Sequence, residues 1–169
     1  MTAQEQVIQA YEDARQDVYH YLLRLGLSPS QAQEAAQEVF LRLLVALRKG
    51  EAIENLRAWL FRVAHNLGLS LRTKRNYWQT LDTEFASTVP DARPDPEAGA
   101  IARQRLDQVR RALSELSPQQ RRCLYLRTEG LRYQEIATVM GLHISTVGKF
   151  LSRAITRLRR EVNEQRNAK

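Results

Sequence analysis

The stretch from Tyr133 to Arg153 limits the possible folds of this chain more than any other. It reads YQEIATVMGLHISTVGKFLSR, which is a short apolar-spaced segment, a turn containing Gly, and a longer segment with one apolar and one polar face. Counting from Tyr133, Ala137 is fifth, Gly141 is ninth and Val147 is fifteenth. A helix-turn-helix needs a small residue, a positive backbone angle and a core residue at these places. The pattern predicts that motif, with an ordinary helical hairpin as the alternative.

Charge is arranged in blocks along the chain. Residues 57–78 carry a net charge of +5 and residues 101–169 one of +9, whereas residues 1–56 carry −3 and residues 79–100 carry −4. Charge that serves only solubility should be mixed in sign. Two separate basic blocks indicate a polyanionic partner, because each Lys or Arg close to a phosphate releases condensed counterions.

The spacing of apolar residues predicts an all-α protein made of two small helical domains. Helices at about residues 4–25, 29–48 and 55–75 would form a first domain over residues 1–78, and Ser28 is predicted to cap the second of them. Residues 79–100 are acidic and hold three prolines, so they predict a flexible linker. Residues 101–169 would form the second domain, with a helix to about residue 114, another that begins at a Ser117 capping box, and the helix-turn-helix.

Several classes of function are disfavoured by composition. No apolar run approaches the ~20 residues that cross a bilayer, and the first residues lack the order of a signal peptide. Cys123, the only cysteine, excludes an internal disulfide and is expected in the core. We therefore expect a cytoplasmic protein that does not contact the membrane. Metal-ligand spacing, a Gly-rich phosphate loop and a nucleophile–base pair are all missing, so we expect no catalysis, no metal and no cofactor.

The third predicted helix has two distinct faces. An outward face that joins an aromatic ring, an amide and arginines suits a single-stranded nucleic acid, because bases stack on aromatic rings while Arg holds phosphates. Packing of Phe61 and Leu69 on another helix of the same domain is the alternative. The outward set is Phe61, Arg62, His65, Asn66, Leu69 and Arg72, and the core set is Leu56, Trp59, Leu60, Val63, Ala64, Leu67 and Leu71.

The last predicted helix is also two-sided. In a helix-turn-helix the start of the second helix enters the major groove, so its polar side should face DNA. Lys149 and Arg153 would contact bases or phosphates, and Arg157 would meet phosphates or a protein surface. Shorter-range donors on or beside this side are Ser145, Thr146 and Ser152. The predicted core side is Ile144, Val147, Leu151, Ala154, Ile155 and Leu158.

Three stretches resemble one known family. They are QEVFLRL at residues 37–43, LRAWLFRVAHN at residues 56–66, and ALSELSPQQR at residues 112–121 with EGLRYQEIA at residues 129–137. In this order and spacing they are similar to regions 2 and 4 of bacterial sigma factors, in the extracytoplasmic-function (ECF) group of the sigma-70 family. The resemblance covers nearly the whole chain.

The resemblance implies a subunit that binds core RNA polymerase and directs it to promoter DNA. Residues 101–169 would correspond to region 4 and read the minus-35 element as duplex. Residues 1–78 would correspond to region 2, which melts the minus-10 element and holds it as a single strand. By position, Asn66 and the loop at 48–55, with Arg48, Lys49 and Asn55, would contact that strand, and Trp59 would support the loop.

The resemblance also implies protein partners. Gln37, Glu38 and Leu41 would face the clamp helices of the β′ subunit of the polymerase, and region 4 would meet the β flap. Members of the group are often held by an anti-sigma factor, which is therefore a candidate partner. The competing interpretation is a stand-alone helix-turn-helix regulator, with residues 1–78 as a dimerisation or sensing domain.

Two residues of the predicted recognition helix depart from the family. His143 occupies the place of the usual Ser cap, so we expect the helix to lack a capping oxygen. Gly148 stands where the family usually has Lys or Arg, which weakens one expected DNA contact. Glycine inside a helix also costs roughly 1 kcal/mol relative to Ala.

Overall fold

The computed structural model describes residues 1–78 and 99–164, and this part of the chain is built of α-helices without strands. The all-α prediction is confirmed, and the predicted second helix has the expected bounds. The predicted linker lies outside the described residues except for its last two positions. The helices are α1 (Ala3–Arg24), α2 (Pro29–Arg48), α3 (Leu56–Trp78), α4 (Gly99–Ser114), α5 (Pro118–Thr128), α6 (Tyr133–Met140) and α7 (Ile144–Glu164).

Local hydrogen bonds define where α1, α2 and α5 begin. Each follows a Ser or Thr whose side chain accepts the backbone N–H three residues on, while the Glu or Gln at that place accepts the N–H of the cap. Both α2 and α5 also have Pro at their first position, where no hydrogen bond is lost. The caps predicted at Ser28 and Ser117 are confirmed. The pairs are Thr2 with Glu5, Ser28 with Gln31, and Ser117 with Gln120.

Contacts within the chain divide it into two compact units, of which the first contains α1, α2 and α3. These three helices all pack against one another. Tyr21 of α1 is fully buried, and its ring meets the Phe61 ring of α3 edge-on with 5.4 Å between centroids. The Tyr21 hydroxyl lies 2.7 Å from Nδ1 of His65, so the one polar atom of this ring has a partner inside the core.

This contact overturns the predicted orientation of α3. Phe61 and His65 were expected to face outward, but both are buried, so the predicted outward orientation of these two side chains is wrong. The alternative prediction, in which Phe61 packs inside the domain, is correct for that residue. A buried Tyr hydroxyl costs free energy unless it is hydrogen-bonded, and His65 supplies the bond only when α3 is turned to bring Phe61 inward as well. The buried stripe of α3 is Leu60, Phe61, Ala64, His65 and Gly68, whereas Leu56, Trp59, Val63, Leu67 and Leu71 are half-buried.

The second unit contains α4, α5, α7 and the start of α6. Helix α7 packs against both α4 and α5. Between α6 and α7, Gly141 has a φ of +63°, and the Leu142 N–H donates to the Ala137 carbonyl over 3.0 Å. This hydrogen bond closes α6 in a Schellman turn, which requires the positive angle that Gly permits. Ala137 and Val147 are both buried, as the predicted helix-turn-helix requires.

Within the described ranges, no helix is both long enough and apolar enough to cross a membrane. The same residues hold no group of His, Cys, Asp and Glu side chains that would suit a metal ion.

Gly68 allows α1 and α3 to approach closely, which gives a stability prediction. A Cβ at Gly68 would lie 2.6 Å from Cδ1 of Leu25 and 3.2 Å from Cδ2 of Leu22, both of which are buried. At Gly148 the nearest atom to such a Cβ is Cε2 of Tyr133, at 4.0 Å. Replacing either glycine by Ala raises the free energy of unfolding by about 1 kcal/mol through helix propensity. Only Gly68→Ala also overpacks the core, which lowers that free energy by about 1–3 kcal/mol.

We therefore expect Gly148→Ala to stabilise its unit and Gly68→Ala to fall about 1–3 kcal/mol short of that gain. Amide hydrogen exchange, read separately for each unit, measures the two changes. Equal stabilisation by both substitutions would contradict the close approach at Gly68.

Cys123 gives a prediction about alkaline pH. The side chain is fully buried, and burial raises the pKa of its thiol from 9.0 to about 11. The folded state therefore holds the thiol proton more tightly than the unfolded state does. The contribution of this proton to the stability of the fold is complete below pH 9 and is lost as the pH rises to about 11. Unfolding followed at several pH values should show a steeper loss of stability for the wild type than for Cys123→Ala in this window. Parallel curves would contradict the prediction.

Candidate nucleic-acid and partner surfaces

The start of α7 exposes the polar side chains that the sequence predicted. The prediction that Ile144 and Ile155 lie on the core side is wrong, because both are exposed at the margin of the buried stripe. Lys149 and Arg153 project from the face opposite to Val147, so the helix offers cations and hydroxyls on one side. The exposed candidates are Ser145, Lys149, Ser152, Arg153 and Arg157, with Thr146 half-buried, and the buried stripe is Val147, Leu151 and Ala154.

His143 caps α7 through a ring nitrogen, so the helix lacks a capping oxygen, as expected, but does not lack a side-chain acceptor. Its Nδ1 accepts the backbone N–H of Ser145 over 3.4 Å and lies 2.8 Å from Ser145 Oγ. An imidazole nitrogen thus takes the place of the usual hydroxyl oxygen. Sequence reasoning missed this because histidine is rarely counted among capping residues.

A second feature of α7 is a cationic depression of about 430 Å³ further along the helix. Arg157 forms an ion pair with Glu115, and both side chains are about half exposed. Exposed ion pairs contribute little, roughly 0–1 kcal/mol, so Arg157 can exchange Glu115 for a phosphate at small cost. The depression is lined by Leu116, Gln120, Ser152, Arg153, Thr156, Arg157 and Arg160.

In the first unit, the exposed stripe of α3 is narrower than predicted. Arg62 and Asn66 are exposed one turn apart, and Ser70 continues the stripe. Arg72 is only half-buried and therefore partly accessible. With Phe61 in the core, this stripe offers an amide and a guanidinium but not the predicted aromatic ring.

The end of α2 and the loop that follows it contribute two exposed cations, Arg48 and Lys49. Asn55, predicted in the same group, instead caps α3, because its Oδ1 accepts the Ala58 N–H over 3.0 Å. That oxygen accepts a hydrogen bond within the protein, as an Asn at the start of a predicted helix should have indicated.

Between α2 and the start of α3 lies an open groove of about 390 Å³, here called the apolar groove. Leu41 and Val45, four residues apart on α2, are 58% and 50% exposed. Sequence reasoning found Leu41 but missed Val45, although their spacing places both on one helix face. Trp59 lies in this groove, beside the predicted polymerase-facing residues. The groove is lined by Glu38, Leu41, Arg42, Val45, Ala46, Glu51 and Trp59.

Three of the residues that line this groove are charged, namely Glu38, Arg42 and Glu51. Arg42 and Glu38 form an ion pair over 2.8 Å at the rim of the apolar groove. Arg57 does not line the groove, because Asp17 of α1 holds it on the other side of α3 at 2.7 Å. Gln37 is exposed on α2 but does not line the groove. A groove with an apolar floor and a polar rim has the composition of a protein-docking site.

Comparison with known families matches both units. Residues 10–77 match the family model for Sigma-70 region 2, and residues 106–158 match that for Sigma-70, region 4. Together the two matches span most of the chain. The match at residues 10–77 also disfavours the stand-alone regulator, which assigned that part of the chain to dimerisation or sensing.

Individual relatives agree with this assignment. The chain is 25% identical over 168 residues to the RNA polymerase sigma factor YlaC of Bacillus subtilis, covering 98% of this chain and 97% of the relative. It is 28% identical over 158 residues to the ECF RNA polymerase sigma factor SigL of Mycobacterium tuberculosis, covering 91% and 87% respectively.

A solved structure shows the same fold. It is the sigma factor RpoE of Bartonella quintana in complex with the anti-sigma factor NepR, with a TM-score of 0.70 at 22% identity, covering 94% of this chain and 98% of that one. The two family matches and the relatives that align over most of their length lead to one assignment. This chain belongs to the sigma-70 family, as an RNA polymerase sigma factor of the ECF group.

Proposed function

We propose that this sigma factor docks on core RNA polymerase through the apolar groove and contacts promoter DNA at two separate places. The observation that carries the proposal is the division of exposed surface in the first unit. On one helix pair Leu41, Val45 and Trp59 present apolar surface, while Arg62 and Asn66 of α3 present polar groups. One unit thus offers both a surface suited to protein and a stripe suited to a polar ligand.

The second unit is proposed to read duplex DNA. The start of α7 would enter the major groove at the minus-35 element, with Lys149 and Arg153 positioned for bases or phosphates. Arg157 and the cationic depression would lie along the phosphate backbone. In this proposal residues 1–78 dock on the polymerase and bind the minus-10 element, and residues 101–169 bind the minus-35 element.

Two units on one chain suit this task. Binding of one unit raises the effective concentration of promoter DNA around the other, so two modest contacts combine into a tight one. In this proposal the protein supplies binding and strand opening, and the polymerase supplies the chemistry of RNA synthesis. The protein would act in the cytoplasm, where polymerase and promoter meet.

An anti-sigma factor is proposed as a further partner. The solved structure of the sigma factor RpoE was obtained in complex with the anti-sigma factor NepR, which supports a similar partner for this chain. A protein that covers the apolar groove would compete directly with core polymerase. Inhibition would then require no change within either unit.

The central test combines binding with transcription. Bacterial core RNA polymerase is mixed with the full-length chain and a pool of promoter templates, and both complex formation and start sites are measured. We expect a stable complex and initiation at defined promoters. Failure of the chain to bind core polymerase, or binding without promoter-specific initiation, would overturn the proposal.

Substitution in the apolar groove tests the docking surface. Leu41→Asp should weaken polymerase binding about tenfold or more, because burial of a Leu side chain contributes about 1.5–3 kcal/mol. Ile8→Asp is the matched control, since Ile8 is 59% exposed on α1 outside the groove. Fluorescence anisotropy with labelled chain measures both affinities. Equal weakening by the two substitutions would argue against docking at the groove.

Asn66 tests the single-strand contact. Its exposed amide can hydrogen-bond an unpaired base, so Asn66→Ala should reduce strand opening more than recruitment of polymerase to the promoter. Permanganate reactivity of thymines around the start site measures opening, and a gel shift measures recruitment. Gln16→Ala, which removes an exposed amide from α1, serves as the control. Wild-type permanganate reactivity in Asn66→Ala would contradict this role.

A further inference from the structure

The pair formed by His143 and Ser145 at the start of α7 has a defined hydrogen-bond arrangement. Two donors of Ser145 face the same ring nitrogen, since its backbone N lies 3.4 Å and its Oγ 2.8 Å from Nδ1 of His143. Both residues are exposed, at the part of α7 proposed to enter the major groove. The arrangement therefore bears on what DNA would meet there.

The backbone amide determines which tautomer of His143 is present. A neutral imidazole carries a proton on one nitrogen and a lone pair on the other. A backbone N–H can only donate, so the nitrogen that faces it must hold the lone pair. This places the ring proton on Nε2 and makes Nδ1 an acceptor.

The tautomer in turn determines the role of the Ser145 hydroxyl. Because Nδ1 has no proton to give, the 2.8 Å contact must be an O–H of Ser145 donating to His143. A serine hydroxyl has one hydrogen and two lone pairs. With its hydrogen directed to His143, Ser145 can offer only lone pairs to another molecule.

We propose that His143 makes Ser145 an obligate hydrogen-bond acceptor, so that α7 selects a base with an exposed amino group at the position opposite Ser145. In the major groove, adenine presents its N6 amino group and cytosine its N4 amino group. Guanine and thymine present O6 and O4 there, and these acceptors would face the lone pairs of Ser145 without a hydrogen between them. The inference rests on the proposed function, because it assumes that α7 reads duplex promoter DNA.

The test uses the full-length chain with core polymerase and a library of promoters varied at every position of the upstream element. The wild type should initiate roughly threefold to tenfold better with adenine or cytosine than with guanine or thymine at one position, the range expected for one hydrogen bond. Ser145→Ala should abolish that preference while leaving the other positions unchanged. His143→Ala should free the hydroxyl to rotate and donate, which broadens the preference to all four bases.

His143→Asp separates selection from helix capping. A carboxylate accepts the same two hydrogen bonds, so this variant should keep the adenine-or-cytosine preference even though its negative charge weakens binding to every promoter. If His143 served only as a cap, the two His143 variants would change stability and overall activity without changing base preference. Retention of the wild-type preference in His143→Ala, or a wild-type preference for guanine or thymine that depends on Ser145, would overturn the inference.

The same library separates this inference from the function on which it rests. If the wild type initiates at no member of the library, the proposed promoter recognition fails. If the wild type initiates at defined promoters and Ser145→Ala alters no base preference, only the role of His143 and Ser145 fails.

Discussion

The contact of Tyr21 with Phe61 and His65 determines which side chains of α3 the first unit exposes. It joins α1 to α3 through an edge-on pair of aromatic rings and a buried hydrogen bond of 2.7 Å. Since all three side chains are buried, α3 cannot rotate about its axis without leaving a polar atom unpaired in the core. The exposure of Arg62 and Asn66 and the half-exposed position of Trp59 in the apolar groove follow from this orientation.

Helix ends impose a second constraint, because the same polar side chains that could contact DNA also cap helices. Asn55 lies at the edge of the proposed single-strand site, yet its Oδ1 holds the Ala58 N–H. His143 was expected to deprive α7 of a capping oxygen, and its ring nitrogen accepts the Ser145 N–H in place of that oxygen. An unpaired N–H at a helix start is satisfied by the nearest acceptor, and a side chain used in this way has fewer groups left for a ligand.

Much of this fold was predictable from the sequence, and the reason is physical. Helix periodicity and the Ser28 and Ser117 caps are local properties, so the bounds of α2 and the start of α5 were predicted correctly. The exposed face of α7 was also predicted at Lys149 and Arg153, because there apolar and charged residues separate clearly around the helix. Helix α3 has apolar residues on nearly every side, and its pattern therefore does not distinguish a face that covers a core from a face that borders a groove.

The sequence alone determined the helical class, the helix-turn-helix and the separation of charge into two basic blocks, since each depends on residue type and short-range spacing. Only the tertiary structure decided which face of α3 is buried, that Leu41 shares its groove with Val45 and Trp59, and that His143 engages Ser145. These features depend on which side chains meet between helices or across a turn. A buried hydroxyl without a hydrogen-bond partner costs free energy, and so does a helix start whose N–H groups lack an acceptor. The fold supplies both partners from side chains that the tertiary structure brings within reach.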